Sequence, residues 1–125
     1  MVREHTSTFC PLYHRAVELV GRRWNGAILR ALMGGATRFG EIASAIPDLS
    51  DRMLSERLKE LEAEGILTRT VFPETPVRIE YTLTPKGRAL APVVDALSAW
   101  AAEWLDSGEG HAPEDARTTT HAATC

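Results

Sequence analysis

The segment spanning residues 67–84 departs from the helical pattern of the rest of the sequence, and this change of period restricts the possible folds most. Apolar residues alternate along two short runs, the first ending at Phe72 and the second beginning at Val77. Pro73 and Pro76 lie between the runs, where proline suits a turn and stiffens it. The spacing predicts a β-hairpin within a chain that is otherwise α-helical.

Apolar residues at helical spacing predict three helices before residue 48. The first begins at Pro11, a residue suited to the first helical position, and ends at Gly21. The second runs from Trp24 to Met33 and stops at a pair of glycines. A short third helix is marked by Phe39 and ends before Pro47, which cannot continue it.

Two further helices flank the hairpin. Ser50 is a good N-cap for a fourth helix, and Gly65 closes that helix. Thr84 caps a last helix that has Pro85 at its first position. We expect this last helix to continue to Leu105, with a wide apolar face from Leu90 to Leu105 over about five turns.

This order of elements is the layout of a winged helix-turn-helix, a mainly α fold with a small β-hairpin wing. The third and fourth helices form the helix-turn-helix motif. In this geometry the fourth helix enters the major groove of double-stranded DNA by its N-terminal residues. We expect residues 10–105 to form this domain, residues 1–9 a flexible arm, and residues 106–125 a disordered acidic tail.

The fourth helix has an apolar side and a charged side. Leu54, Leu58 and Leu61 fall together at 3.6 residues per turn, so we expect them to face the core. Taken alone, the opposite side favours an ordinary solvated helix face, but the hairpin directly after the helix reverses this preference. Basic and hydroxyl side chains suit contacts with bases and phosphates. With the start of the third helix and the wing included, the predicted DNA contacts are Arg38, Ser50, Arg52, Ser55, Lys59, Arg69 and Arg78.

Acidic residues lie close to these predicted contacts. We expect Glu56 and Glu60 either to pair with Arg52 or Lys59 at helical spacing, or to favour cytosine edges. Lys86, just after the wing, is a further candidate for the DNA backbone.

The charge of the whole chain does not by itself indicate a nucleic-acid protein. The formal net charge is -3 over 125 residues, whereas nucleic-acid-binding domains are usually basic. The segment from Asp106 to Cys125 holds four acidic residues and one arginine, so the remainder of the chain is neutral. A DNA-binding face must therefore come from local clustering of basic residues.

Composition also restricts location and chemistry. The sequence has no bilayer-length apolar run and no secretory signal at its start, and its two cysteines fit a reducing cytosol. We therefore expect a cytoplasmic protein that does not associate with a membrane. The four histidines lack metal-ligand spacing, and no nucleophile elbow or phosphate-binding loop is present. We expect neither an enzyme nor a bound metal or cofactor.

A set of short motifs, in this order and spacing, resembles the HxlR-type transcriptional regulators, a bacterial winged-helix group related in architecture to MarR proteins. The motifs are CP at 10–11, GRRW at 21–24, ILRAL at 28–32, RFGEI at 38–42, LS...ML..RLKELEAEGI at 49–66, RTVFPETPVRIEYTLTPKG at 69–87 and DALSAW at 95–100. The chain departs from the family pattern at Arg23, where a lysine is frequent, at Glu56, where an amide is common, and at Lys59, where arginine is usual. Lysine lacks the bidentate geometry of arginine, so the departure at residue 59 affects which base contacts this helix makes.

The resemblance implies a homodimer that binds a pseudo-palindromic operator through two recognition helices, with an interface built from the first and last helices. The residues agree, since a domain this small has no obvious way to bury both faces of its last helix. Trp100 and Trp104 are four residues apart, and we expect one of them at the interface, the alternative being that both belong to the core. The predicted interface residues are Leu12, Leu97, Trp100 and Trp104.

The resemblance also implies a redox-sensing role for Cys10, because several members of the family resemble thiol switches that react with quinones, aldehydes or oxidants. The helix N-terminus would favour a thiolate, and His14 and Arg15 lie one turn on. The alternative is a buried, inert cysteine. Cys125 matches no family motif and is either a resolving partner or without a role. A small apolar or aromatic ligand bound between the dimer helices and the DNA-binding lobes is the second possible signal.

Two functional hypotheses follow from the sequence. The first is a DNA-binding transcriptional regulator, acting as a repressor of a nearby gene. The alternative is a winged-helix protein-interaction module without DNA affinity, which the neutral charge and Glu56 favour mildly. The sequence names neither the operator nor the inducer.

Overall fold

The structure is a computed structural model that describes residues 8–106, and its elements follow the order predicted for a winged helix-turn-helix. The predicted arm and tail fall almost wholly outside the described residues. The elements are α1 (Pro11–Gly21), α2 (Asn25–Met33), α3 (Phe39–Ala45), α4 (Asp51–Ala63), β1 (Leu67–Phe72), β2 (Arg78–Leu83), α5 (Pro85–Arg88) and α6 (Ala91–Trp104).

The ends of α2 and α4 have local causes in the sequence. The Ser50 hydroxyl accepts a hydrogen bond from the Met53 N–H (3.1 Å), which confirms the predicted cap of α4. After α4, Gly65 adopts a φ of +78°, a left-handed conformation that favours glycine. At the start of α2, Trp24 takes a φ of 77° as the N-cap, so the helix begins one residue later than predicted.

The predicted last helix is wrong in one respect, because the structure divides it into α5 and α6. The Thr84 hydroxyl accepts from the Gly87 N–H (3.0 Å), so the predicted cap is confirmed for α5. The break follows from Pro92, which lies in the first turn of α6. A proline has no N–H to donate, and its ring would clash with the carbonyl of residue 88 in a continuous helix.

The core consists of buried aliphatic side chains from α2, α3, α4, β1, α6 and the segments between them. The predicted inner stripe of α4 is confirmed, because Leu54, Leu58 and Leu61 are all buried. In contrast, α1 contributes no buried residue. The core residues are Ile28, Leu29, Leu32, Ile42, Ile46, Leu49, Leu54, Leu58, Leu61, Ile66, Leu67 and Val94.

The hairpin is antiparallel, with Leu67 opposite Leu83 and Phe72 opposite Arg78. The wing is joined to the helix-turn-helix motif by a backbone hydrogen bond from the Tyr81 N–H to the Thr37 carbonyl (2.8 Å). The wing and the start of α3 are therefore held together. Across residues 8–106, no helix combines the length and apolar character needed to cross a membrane.

Candidate nucleic-acid interface

The recognition helix α4 presents its predicted polar side away from the core. Its three buried leucines occupy one face, so Arg52, Ser55 and Lys59 project together on the opposite side at 3.6 residues per turn. The Arg52 side chain is 88% exposed, Lys59 is exposed, and Ser55 is half-buried. Ser50 is exposed at the start of the same helix. The structure thus brings four of the predicted contact residues onto one accessible surface.

The acidic residues of α4 have partners that only partly match the expectation. Glu56 pairs with Arg52 across one turn (3.7 Å), one of the predicted alternatives. Glu60 pairs instead with Arg22 and Arg57 and not with Arg52 or Lys59. Among the described residues, Lys59 forms no ion pair, so its charge is not offset by a direct contact.

Arg38 lies exposed at the N-cap of α3, and the backbone around it is fixed by a carboxylate. The Glu41 carboxylate accepts hydrogen bonds from the backbone N–H groups of Thr37 (2.8 Å) and Arg38 (3.1 Å). These two bonds stabilise the ionised carboxylate and hold the pKa of Glu41 below its ordinary value of 4.5. The capping also orients the segment from which the Arg38 side chain projects.

The two predicted wing contacts have different environments. Arg69 is exposed on β1. Arg78 forms ion pairs with Glu74 (2.8 Å) and Glu80, and its guanidinium lies over the Phe72 ring, 3.9 Å from the centroid. Hydrogen bonds with Glu74 and Glu80 raise the pKa of Arg78, and the bond from Arg78 lowers the pKa of Glu74. Arg78 therefore stabilises the hairpin through contacts within it, and two carboxylates offset its charge.

Lys86 does not lie beside the start of the recognition helix. Its Nζ donates to the Glu64 carbonyl (2.7 Å), at the C-terminal end of α4. That carbonyl is twelve residues from Arg52, about 18 Å along a helix axis at 1.5 Å per residue. The sequence-based suggestion of a backbone contact by Lys86 is therefore not favoured by its position.

Arg57 is a buried residue of α4 that the predicted inner stripe does not include. Arg57 is only 8% exposed, and its Nε donates to the Arg23 carbonyl (3.2 Å). Its Nη1 pairs with Glu60 (3.2 Å). A projection of α4 at 3.6 residues per turn does predict this burial, because residue 57 lies beside Leu61 at the edge of the apolar stripe.

Cys10 is the N-cap of α1, as its position before Pro11 suggested. Its Sγ accepts a hydrogen bond from the Tyr13 N–H (3.3 Å) and is disulfide-bonded. His14 pairs with Glu18 (3.3 Å) across one turn. Cys125 lies outside the described residues.

The predicted interface residues on α1 and α6 form no part of the core. Trp100 and Trp104 are 55% and 53% exposed, and Leu12 and Leu97 are also exposed. Neither tryptophan is thus an ordinary core residue within one chain. In the part of the chain that the structure describes, no group of three or more His, Cys, Asp or Glu side chains is placed to hold a metal ion.

A helix-turn-helix with an exposed recognition face, followed by a hairpin wing, defines a winged-helix DNA-binding protein. The family model described as HxlR-like helix-turn-helix matches residues 19–109, and the chain belongs to this family. It is a DNA-binding transcriptional regulator and not an enzyme. The comparisons do not favour the alternative of a protein-interaction module.

Relatives and solved structures agree with this assignment. The HTH-type transcriptional regulator YvaP of Bacillus subtilis is 55% identical over 100 residues, which cover 80% of this chain and 93% of YvaP. The reduced form of the transcriptional regulator YodB of B. subtilis has a TM-score of 0.71 at 49% identity, covering 82% of this chain and all of that chain. YodB has also been solved after diamide treatment and with bound quinone, with TM-scores of 0.67 and 0.65. The reduced redox regulator HypR has a TM-score of 0.72 at 34% identity, covering 76% of this chain and 94% of HypR.

Replacing Glu41 with Gln should destabilise the protein at neutral pH, because the ionised carboxylate is the form that the two N–H groups stabilise. Since the pKa of Glu41 is lowered on folding, its contribution is fully present above pH 4.5 and is lost as the pH falls through the folded-state value. The difference in free energy of unfolding between wild type and Glu41→Gln should therefore shrink below pH 4.5. Urea denaturation at a series of pH values measures it. Glu103→Gln, at an exposed site on α6, is the matched control, and an equal loss in both variants would contradict the capping role.

Proposed function

We propose that this regulator is a cytoplasmic homodimer that represses a nearby gene by binding a pseudo-palindromic operator. The observation that carries the proposal is the exposed polar face of α4, with Arg52 and Lys59 opposite three buried leucines. Two such helices, one from each copy, would read successive major grooves about 34–36 Å apart.

The proposed contacts divide into two kinds. Arg52, Ser55 and Lys59 are assigned to the major groove, where arginine and lysine favour guanine edges. Ser50 and Arg38 are assigned to phosphates beside the groove. In the wing, Arg69 contacts the backbone, and Arg78 contributes less because Glu74 and Glu80 offset its charge.

The second copy is proposed to cover the apolar surface of α1 and α6. Leu12, Leu97, Trp100 and Trp104 are each more than half exposed in the single chain. Large exposed apolar side chains of this kind are typical of interaction sites, and buried tryptophans dominate interface energetics. A twofold axis through this surface would fix the spacing of the two recognition helices.

The proposed signal is oxidation or alkylation of Cys10. Cys10 is disulfide-bonded in this structure. In the reduced protein, the N-terminus of α1, where the Tyr13 N–H points to Sγ, would stabilise its thiolate. YodB is known in diamide-treated and quinone-bound forms, and HypR is a redox regulator. Diamide takes two electrons and two protons from two thiols as one disulfide forms, whereas a quinone adds to a single thiolate through a new C–S bond. A small ligand held between the dimer helices and the DNA-binding lobes is the second candidate signal.

Replacing Arg52 or Lys59 with Ala should weaken binding to DNA from upstream of the gene. We expect a loss of about 1–3 kcal/mol for a base-contacting arginine, whereas Arg69→Ala, which removes a proposed backbone contact, should reduce the log–log salt slope by roughly one unit. Fluorescence anisotropy at rising salt measures both, and titration at high concentration gives the number of chains per operator. Lys86→Ala removes the same charge at the far end of α4 and should bind as wild type does. Absence of binding by the wild type at low salt would contradict the assignment of the DNA face.

Replacing Trp100 with Glu should convert the dimer into a monomer, because a carboxylate buried without a partner at the interface is strongly unfavourable. Sedimentation velocity at micromolar concentration measures the change. Val77→Glu is the matched control, since Val77 is 56% exposed on the wing and Trp100 is 55% exposed. A monomeric wild type, or a dimeric Trp100→Glu variant, would count against this interface.

Cys10→Ser should remain on operator DNA after treatment with diamide or benzoquinone, whereas the wild type is released. Anisotropy of labelled operator DNA measures the release. Cys125→Ser separates the two chemistries, because it should lose the diamide response if these two thiols form the disulfide, yet keep the quinone response. Release of the Cys10→Ser variant by both reagents would exclude Cys10 as the sensor.

A further inference from the structure

Three charged side chains join the C-terminal half of α4 to the segment between α1 and α2. The Glu60 carboxylate faces Arg22 through two contacts, Nε–Oε1 (3.0 Å) and Nη2–Oε2 (3.4 Å). The same carboxylate pairs with Arg57 Nη1 (3.2 Å). Arg57 also donates from Nε to the Arg23 carbonyl (3.2 Å). We call Arg22, Arg57 and Glu60 the α1–α4 clamp.

The two sides of the clamp are unequal in burial. Arg57 is buried, while Arg22 and Glu60 are half exposed, at 51% and 45%. Arg57 and Glu60 belong to the same helix, so their pair does not depend on the position of α1. Two contacts cross from α4 to the segment between α1 and α2, namely the hydrogen bond from Arg57 to the Arg23 carbonyl and the half-exposed pair between Arg22 and Glu60. The exposure of the pair means that it contributes little to overall stability.

Within residues 8–106, the contacts of α1 with the core lie near its C-terminal end. No residue of α1 is buried, and Leu19 is its member that packs against the core. The Asn25 Nδ2 donates to the Leu19 carbonyl (2.8 Å), again near the end of the helix. A groove of about 560 Å³ lies between α1 and the end of α4, with Leu12 and Leu61 among its lining residues. This helix therefore contacts the core near one end, and Cys10 lies about 16 Å away at its other end.

We propose that Glu60 is a positioning residue that transmits the orientation of α1 to the recognition helix through Arg22. This inference rests on the proposed function, which places the signal at Cys10 and the DNA contacts on α4. Modification of Cys10 changes the orientation of α1 relative to the second copy of the chain. The clamp then moves α4 together with α1. The spacing of the two recognition helices then changes, and the operator is released. The helix α1 connects Cys10 to Arg22, which contacts Glu60 of α4, and the variants below measure whether this connection carries coupling.

Arg22→Met tests the proposal, since it removes the ion pair between Arg22 and Glu60 and leaves the contacts of Arg57 with Glu60 and with the Arg23 carbonyl in place. The quantity measured is the ratio of the operator Kd after diamide to the Kd under reducing conditions. We expect a ratio above about fivefold for the wild type, as in typical allosteric couplings. In Arg22→Met the reduced Kd should stay within about threefold of the wild type, while the ratio falls by a factor of up to about five, the most that a half-exposed ion pair carries.

Matched variants separate coupling from a purely structural role. Arg22→Lys keeps the charge but not the two-point contact of the guanidinium, so it should restore part of the response. Arg15→Met removes an exposed arginine from α1 two turns earlier and should behave as wild type. Circular dichroism melting reports whether each variant is folded. If Arg22→Met fails to fold, Glu60→Gln, which keeps the shape of the side chain, replaces it and should show the same loss of response.

Each remaining outcome has a distinct meaning. A full diamide response in Arg22→Met overturns the clamp and leaves the redox function standing. Loss of DNA binding by folded, reduced Arg22→Met also overturns it, because the pair would then be needed for binding itself. If diamide leaves the operator Kd of the wild type unchanged, this result overturns the redox function and the clamp together.

Discussion

The burial of Leu54, Leu58 and Leu61 fixes the angle at which α4 meets its surroundings, and the DNA-facing side depends on that angle. Each is at most 2% exposed, and full burial of a leucine is worth about 1.5–3 kcal/mol. Turning the helix by one residue would expose this stripe, whereas an exposed ion pair such as Arg52–Glu56 contributes about 0–1 kcal/mol. The core therefore sets the orientation of the helix, and the polar face is free to vary with the operator that it reads.

The absence of an overall positive charge is compatible with DNA binding because several acidic groups near the proposed face are engaged locally, although Asp51 is exposed at the start of α4. The Glu41 carboxylate accepts two backbone N–H groups, and Glu74 is paired with Arg78. Glu56 faces Arg52 across one turn. Lys59 has no such partner among the described residues, and Arg69 and Arg38 are exposed. The field at the proposed face is thus set by the local arrangement of charges rather than by the net charge of the chain.

Features with local causes could be predicted from the sequence, and features that depend on distant contacts could not. Ser50 as a cap and the leucine stripe follow from helix geometry, and the structure has both. The break before α6 also had a local signal in Pro92, which the wide apolar pattern of that region obscured. The pairing of Arg22 with Glu60 joins residues 38 positions apart, and no periodicity relates them. The same holds for Arg78, whose closure over Phe72 depends on the register of the hairpin.

The distribution of burial also limits how a signal can act on α4. Effector couplings are typically worth 1–3 kcal/mol, which is less than the cost of exposing the three leucines. A signal therefore cannot rotate α4 about its own axis, and it must move α4 together with the α2 and α3 side chains that share its core. Such rigid-body movement needs an element that the core does not hold, and α1 has no buried residue. The helix with the weakest attachment thus carries Cys10 at its N-terminus and an exposed apolar side chain, Leu12.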